Sequence, residues 1–228
     1  MNIAIIPARS GSKRILNKNT KLFFGFPIIY WSLKAAKESK IFDKIIVSTD
    51  SKRIAEIAKK YGAEIPFLRP KKYSNDKIGI DEVIKHTIKK LEIKERNYVC
   101  CISATAPFIR SADLIMGFNK IKKKKMHYIF SATKYDYPIQ RAFSLKKNKL
   151  KMIFPKFYKY NSQDLEETYH DAGQFYWGTV NAWVKKKMIF SKNSLIINIK
   201  SHLAQDIDTI DDWKKAELKY KLINQSEK

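Results

Sequence analysis

Two short stretches carry residue types suited to phosphate chemistry. The first is Ala8-Arg9-Ser10-Gly11-Ser12-Lys13-Arg14, with Lys18 and Asn19 just beyond it. Small residues let backbone N–H groups approach an anion, and clustered cations neutralise it. The spacing matches neither a G-x-x-x-x-G-K-[ST] loop nor a G-x-G-x-x-G fingerprint. The residues alone leave two readings open, a triphosphate cradle and a solvated basic loop. The second stretch is Gln205-Asp206-Ile207-Asp208-Thr209. In an extended segment Asp206 and Asp208 share a face, and paired carboxylates repel unless a cation lies between them. Mg²⁺ suits a site of this kind when substrate phosphates complete the shell. A solvated turn before a helix is the plainer reading, and on the residues alone it is favoured. Asp211 and Asp212 are assigned to that helix start.

Something must hold these stretches together, and the hydrophobic pattern says what. Ile3-Ala4-Ile5-Ile6 is a short continuous apolar run of the kind found in buried parallel strands. The basic loop follows it directly. Pro27 opens a helical pattern through Ile28, Ile29, Trp31, Leu33 and Ala36. Lys44–Ser48 reads as a strand, with Asp50 placed to cap the next helix and Gly62 to stop it. A short strand is expected over 64–67 and a helix through Ile80, Val83, Ile84, Thr87, Ile88 and Leu91. Tyr98–Ser103 and Tyr128–Ala132 read as core strands, with a helix between them from Ser111. Residues 134–175 are aromatic and polar without a clean period, which reads as an excursion from the sheet. Phe175-Tyr176-Trp177 and Ser194–Ile199 resume the strands, and Thr209-x-x-Asp212 is a capping-box signal before a last helix. Strands alternating with helices predict an α/β fold with a doubly wound, mostly parallel, Rossmann-like sheet in one domain spanning 1–228.

Composition limits the function classes. The chain has 228 residues and a net charge of +24, which taken alone suggests a nucleic-acid partner. Only 7 of the 46 basic residues are Arg, however, and the Lys residues are spread along the whole chain. Base-reading interfaces lean on Arg, so a solvated Lys-rich surface is preferred and no nucleic-acid partner is expected. No apolar run approaches the roughly 18 residues of a membrane span, so no membrane insertion is expected. The N-terminal stretch lacks the pattern of a secretory signal. Cys100 and Cys101 are adjacent in an apolar run, which fits core positions in a reducing cytoplasm.

The run Ile6-Pro7-Ala8-Arg9-Ser10-Gly11-Ser12-Lys13-Arg14 with Lys18-Asn19 resembles the signature of the CMP-sugar synthetases that act on nonulosonic acids, the cytidylyltransferases of the sialic acid type. Ser10 stands where that signature usually has a second Gly. Val47-Ser48-Thr49-Asp50, Phe67-Leu68-Arg69-Pro70 and Gln205-Asp206-Ile207-Asp208-Thr209 resemble further family segments in the correct order. The resemblance extends over almost the whole chain. Tyr137–Phe143 and Tyr169–Gly178 resemble the branch acting on pseudaminic acid. Ser103-Ala104-Thr105-Ala106-Pro107 lacks the Gln that sialic acid enzymes carry there.

The resemblance implies a reaction of CTP with a nine-carbon keto sugar acid, releasing diphosphate. It implies a catalytic set of Arg9, Lys13, Asp206 and Asp208, with Mg²⁺ on the two aspartates. It implies a CTP site formed by residues 8–13, Lys18, Asn19 and Arg69, with Asp76 near the cytosine. Ser103, Gln140, Arg141, Gln163, His170, Asp171 and Gln174 are the candidate sugar contacts, Arg141 being suited to grip a carboxylate bidentately. It further implies a homodimer in which the excursion reaches the partner's site. Legionaminic or N-acetylneuraminic acid is the alternative sugar, and a basic nucleic-acid-binding protein is the distant alternative.

Overall fold

The computed structural model describes residues 1–226. Its centre is a six-stranded sheet. In chain order the elements are β1 (Asn2–Pro7), β2 (Leu22–Phe23), β3 (Phe26–Pro27), α1 (Ile29–Glu38), β4 (Lys44–Ser48), α2 (Lys52–Lys60), α3 (Ile80–Lys90), β5 (Tyr98–Ile102), α4 (Ser111–Lys124), β6 (Tyr128–Lys134), β7 (Phe143–Lys146), β8 (Lys149–Met152), β9 (Tyr169–Thr179), α5 (Val180–Val184), β10 (Ser194–Asn198) and α6 (Ile210–Ser226). The sheet order is β10-β6-β9-β5-β1-β4. Only β9 runs against its neighbours, and it pairs antiparallel with both β5 and β6. The other pairings are parallel.

Period-two alternation explains why the strands are apolar throughout. Ala4, Ile6, Cys100 and Ile102 face one layer, packed with Leu33 of α1, Ile54 of α2, Leu114 of α4 and Trp213 of α6. Ile3, Ile5, Val99 and Cys101 face the other, packed with Ile84 and Ile88 of α3 and Trp183 of α5. Both faces are covered, as a parallel sheet requires. The two cysteines lie on opposite faces, and burial pushes both thiols up. Gly117 lets α4 approach β9 closely. A Cβ there would lie 2.7 Å from Trp177, whose indole N–H donates to the Leu114 carbonyl at 3.0 Å.

Four details differ from the sequence expectation. Pro27 ends the small β2–β3 ribbon, and the helix begins two residues later. Ser51, not Asp50, caps α2, its side chain accepting from the Ile54 N–H. Residues 64–67 form only an isolated bridge from Glu64 to Ile46, because Pro66 has no N–H to continue a ladder. The excursion is also shorter than 134–175. It leaves the sheet after Lys134 and returns at Tyr169, so residues 169–175 belong to β9. The excursion carries the β7–β8 hairpin, closed by Lys147 and Asn148, both at positive φ. That conformation matches the twist of flanking strands.

Pairing between β6 and β9 is interrupted. Phe130 faces Tyr176, whereas Ala132 faces Asp171, so four β9 residues bulge out across from Ser131. Gly173 takes a φ of 65° inside the bulge. The Ser131 hydroxyl accepts from the N–H groups of Gln174 and Phe175, each at 3.1 Å, and so replaces the missing ladder bonds.

Candidate active site

β1 delivers the basic loop to the carboxyl edge of the sheet, where open α/β sheets bind ligands. Ala8 is fully buried and its N–H donates to the Ser48 carbonyl at the end of β4. The next residues are held by side chains. The Asp50 carboxylate accepts from the Ser10 N–H at 2.9 Å and from its hydroxyl at 2.7 Å. The Asn19 amide donates to the Arg9 carbonyl at 2.9 Å, closing the loop on itself. Gly11 faces open space.

The loop forms one wall of a cleft of about 510 Å³. Opposite it lie Tyr73, Asn75 and Asp76, and the floor includes Ser103, Ala104 and Thr105. Arg69 lines the cleft although its guanidinium is almost wholly buried. It donates to the Ser48 carbonyl at 3.0 Å and to the Ser74 hydroxyl at 3.0 Å, and so ties β4 to the opposite wall. Burial lowers the Arg69 pKa from its usual value, and the Asp50 carboxylate opposes that shift.

Four cations project from the loop, and each meets an acid. Arg9 and Lys13 each lie 2.6 Å from a different oxygen of Asp76. These two donors hold the Asp76 carboxyl below the usual carboxylate range. Arg14 and Lys18 both contact Asp208, at 2.8 and 3.2 Å, and Lys18 also donates to the Ile207 carbonyl at 2.6 Å.

The start of α6 fixes the acidic segment. Thr209 and Asp212 form the reciprocal capping box, with Oγ1 accepting from the Asp212 N–H at 3.2 Å and the Asp212 carboxylate accepting from the Thr209 N–H at 2.8 Å. The same carboxylate accepts from the Asp208 N–H at 3.2 Å. Buried Ile207 anchors the segment between the two acids. Asp208 lines the cleft. Asp206 is shifted upward, first by desolvation and then by Asp208. A half-buried carboxylate with a second carboxylate two residues on is a donor set fit for a hard cation. Among the described residues no group of three or more His, Cys, Asp or Glu could hold a metal. A cation at Asp206 and Asp208 would therefore draw its remaining oxygens from phosphate and water.

The candidate sugar residues scatter more widely. Ser103 lines the cleft. Asp171 accepts from the Tyr176 hydroxyl and from the Gly173 N–H, and the fields of Asp171 and Asp206 both act on Tyr176. Gln174 is buried, with its amide on the Leu203 carbonyl at 2.6 Å and its oxygen without a partner. Gln140 is also buried and donates to the Glu166 carbonyl. Arg141 donates to the Tyr160 carbonyl at 2.7 Å. Gln163 is exposed on the excursion, and exposed His170 packs its ring on Tyr135. The excursion residues Gln140, Arg141 and Gln163 therefore do not line the cleft of their own chain. Sequence reasoning missed Asp50 as the loop clamp and Thr105 as part of the floor. The strand-end position of Asp50 beside the first strand was the available signal.

The fold is a doubly wound α/β sheet with a charged cleft at its carboxyl edge. A model of the cytidylyltransferase family matches residues 3–205, and the chain belongs to that family. It is 42% identical to a pseudaminic acid cytidylyltransferase of Campylobacter jejuni, over 99% of this chain and 98% of that protein. It is 30% identical to a CMP-N,N'-diacetyllegionaminic acid synthase of Legionella pneumophila, over 92% of each. Among solved structures, CMP:2-keto-3-deoxy-manno-octonic acid synthetase complexed with CTP shares the fold, with a TM-score of 0.74 at 14% identity over 99% of both chains. Among the described residues no helix is long and apolar enough to cross a membrane.

Proposed function

We propose that this enzyme condenses CTP with pseudaminic acid to give CMP-pseudaminic acid and diphosphate. The observation that carries this reading is the match to the Campylobacter jejuni enzymes over nearly the full length of both chains. The cleft supports it by joining a cation-rich loop to Asp208.

The C2 hydroxyl of the sugar attacks the α-phosphorus of CTP. One O–P bond forms, the bond to the β-phosphate bridging oxygen breaks, and the hydroxyl proton leaves to solvent. Positioning and charge neutralisation dominate such transfers. Arg9, Lys13 and Lys18 take the phosphate oxygens and offset the charge that builds on departing diphosphate. The N–H groups of Gly11 and Lys13 supply neutral donors beside them, those of Ser10 and Ser12 being held by Asp50 and by the Ser10 carbonyl. Asn19 and Arg69 shape the nucleoside end of the cleft. Asp206 and Asp208 would hold Mg²⁺, which when bound supplies Lewis-acid polarisation of the α-phosphate.

The sugar end is assigned to Ser103, which lines the cleft, and to the Asp171–Gln174 bulge of β9, which does not. Arg141 is assigned to the sugar carboxylate, and because it lies off its own cleft it would serve a partner's. Tyr137, Phe143, Leu145, Leu150 and Tyr158 are all exposed on the excursion, and a patch of this kind supports a homodimer. The reading includes cytoplasmic CTP as donor and small-molecule substrates only. Its outlet is glycosylation of a surface polymer, such as flagellin.

A second reading keeps the reaction and changes the sugar, which the legionaminic acid synthase relative favours. Diphosphate release with purified protein, CTP and Mg²⁺ separates them. Release with pseudaminic acid alone is expected. Release with N-acetylneuraminic or legionaminic acid alone would retain the mechanism and overturn the sugar assignment.

A further inference from the structure

Asp76 occupies an unusual place for an acid in a cleft read as a triphosphate site. Its two oxygens each lie 2.6 Å from a different cation, Arg9 and Lys13, and both cations come from the opposite wall. This is the geometry of a phosphate with two oxygens on two donors, supplied by the protein itself. Asp76 sits between Asn75 and the start of α3, on a segment with no other contact to the basic loop through its side chain. We infer that Asp76 is an internal counter-ion that stands in for phosphate on Arg9 and Lys13 and exchanges with the triphosphate and with diphosphate.

The inference rests on the nucleotidyl-transfer reading of the cleft. Its physical basis is competition. Arg9 and Lys13 cannot hold the Asp76 carboxylate and phosphate oxygens at full strength together. Without Asp76, the two cations would face each other unneutralised until a ligand arrived, and a polyanion would gain their whole attraction. With Asp76, ligand binding must first break two contacts, and product departure is helped by their return. The same two side chains hold the Asp76 carboxyl below the usual carboxylate range while they contact it. Asp76 therefore lowers affinity for the anions without touching the reacting atoms. It sets the balance between holding CTP and releasing diphosphate.

Calorimetry with inorganic diphosphate and with CTP, without sugar, tests this on the full-length protein. Asp76→Asn is expected to bind diphosphate roughly three- to tenfold more tightly than wild type, the scale of two solvent-exposed ion pairs. Asp81→Asn removes an equal charge from the first turn of α3, where Asp81 pairs with Lys186 and not with the loop. It should change affinity less than about twofold. Weaker or unchanged diphosphate binding by Asp76→Asn would overturn the inference, weaker binding marking Asp76 as a direct nucleotide contact. Equal tightening by Asp81→Asn would also overturn it, since the general field would then explain the effect. If wild type bound neither anion, the reading of the cleft itself would fall, and this inference with it. Asp76→Ser gives the same comparison should the Asn variant fold poorly by circular dichroism.

Discussion

Asp50 grips Ser10 twice, by its backbone N–H at 2.9 Å and by its hydroxyl at 2.7 Å. The two residues lie just beyond the ends of neighbouring parallel strands, β1 and β4. The contact fixes the middle of the basic loop to the sheet. The hydroxyl half of it exists because Ser stands at position 10. Asp50→Asn should raise the KM for CTP by about three- to tenfold, as expected for a weakened charge-assisted pair. Ser10→Gly should cost less, because it keeps the backbone donor. The double variant should be less than additive, since both changes remove one interaction. Steady-state kinetics of the four proteins checks this, and full additivity would show that the contact does not hold the loop.

Asp208 meets Arg14, Lys18 and the cleft. Asp208→Ala should reduce turnover by about a hundred- to a thousandfold, the scale seen when a transition-state charge stabiliser is removed. Raising Mg²⁺ should not restore it. The circular dichroism spectrum should match wild type, because Thr209 and Asp212 still cap α6. A variant that stayed active at the wild-type Mg²⁺ requirement would remove the metal role from Asp208.

Arg141 is tested by separating the two substrates. Arg141→Ala should raise the sugar KM by more than about tenfold, as expected for loss of a charge-assisted bidentate contact. The CTP KM should stay within about twofold. Equal losses for both substrates would assign Arg141 to the structure of the excursion through its bond to the Tyr160 carbonyl.

Gly117 offers a test of packing alone. A methyl group there would meet the Trp177 ring at 2.7 Å. Gly117→Ala should lower stability by about 1–3 kcal/mol, the usual cost of overpacking a core. Chemical denaturation measures it. A neutral or stabilising change would mean that α4 can move off β9 freely.

His86 carries a pH dependence. Burial, and then Arg69, Lys72 and Lys90, lower its pKa below the ordinary 6.5. Its ring lies against Tyr73 and Phe67. Below pH 6.5 the unfolded chain takes up a proton that the folded protein resists, so this contribution is present above 6.5 and lost as pH falls through the folded value. His86→Phe should flatten the fall in stability between neutral and mildly acidic pH. An unchanged slope would show that the ring is solvated.

The sequence and structure agree best where burial and local hydrogen bonding decide the outcome. Ile3–Ile6 must be a covered strand, and the Thr209–Asp212 box needs only neighbours along the chain. The assignment of Asp50 as a helix cap went wrong because Ser51, one residue on, can cap equally well, and Ser10 in the loop after β1 offers Asp50 a better donor. Local spacing carries no information about that neighbour. The four ion pairs of the cleft were illegible for the same reason, since Asp76 and Asp208 come from segments far apart in sequence. Apolar periodicity also could not show that residues 169–175 form part of β9, because the bulge opposite Ser131 breaks the alternation there.

The reversed direction of β9 has an evolutionary consequence. Because it runs against β5 and β6, the chain enters it at the same rim where the nucleotide cleft opens, and the hairpin excursion is inserted at that rim. The core registers of β1, β4 and β5 do not depend on what the insertion contains. The hairpin and the first half of β9 can therefore change in sequence without disturbing the strand registers that carry the basic loop. The fold separates the part that must stay constant from the part free to diversify.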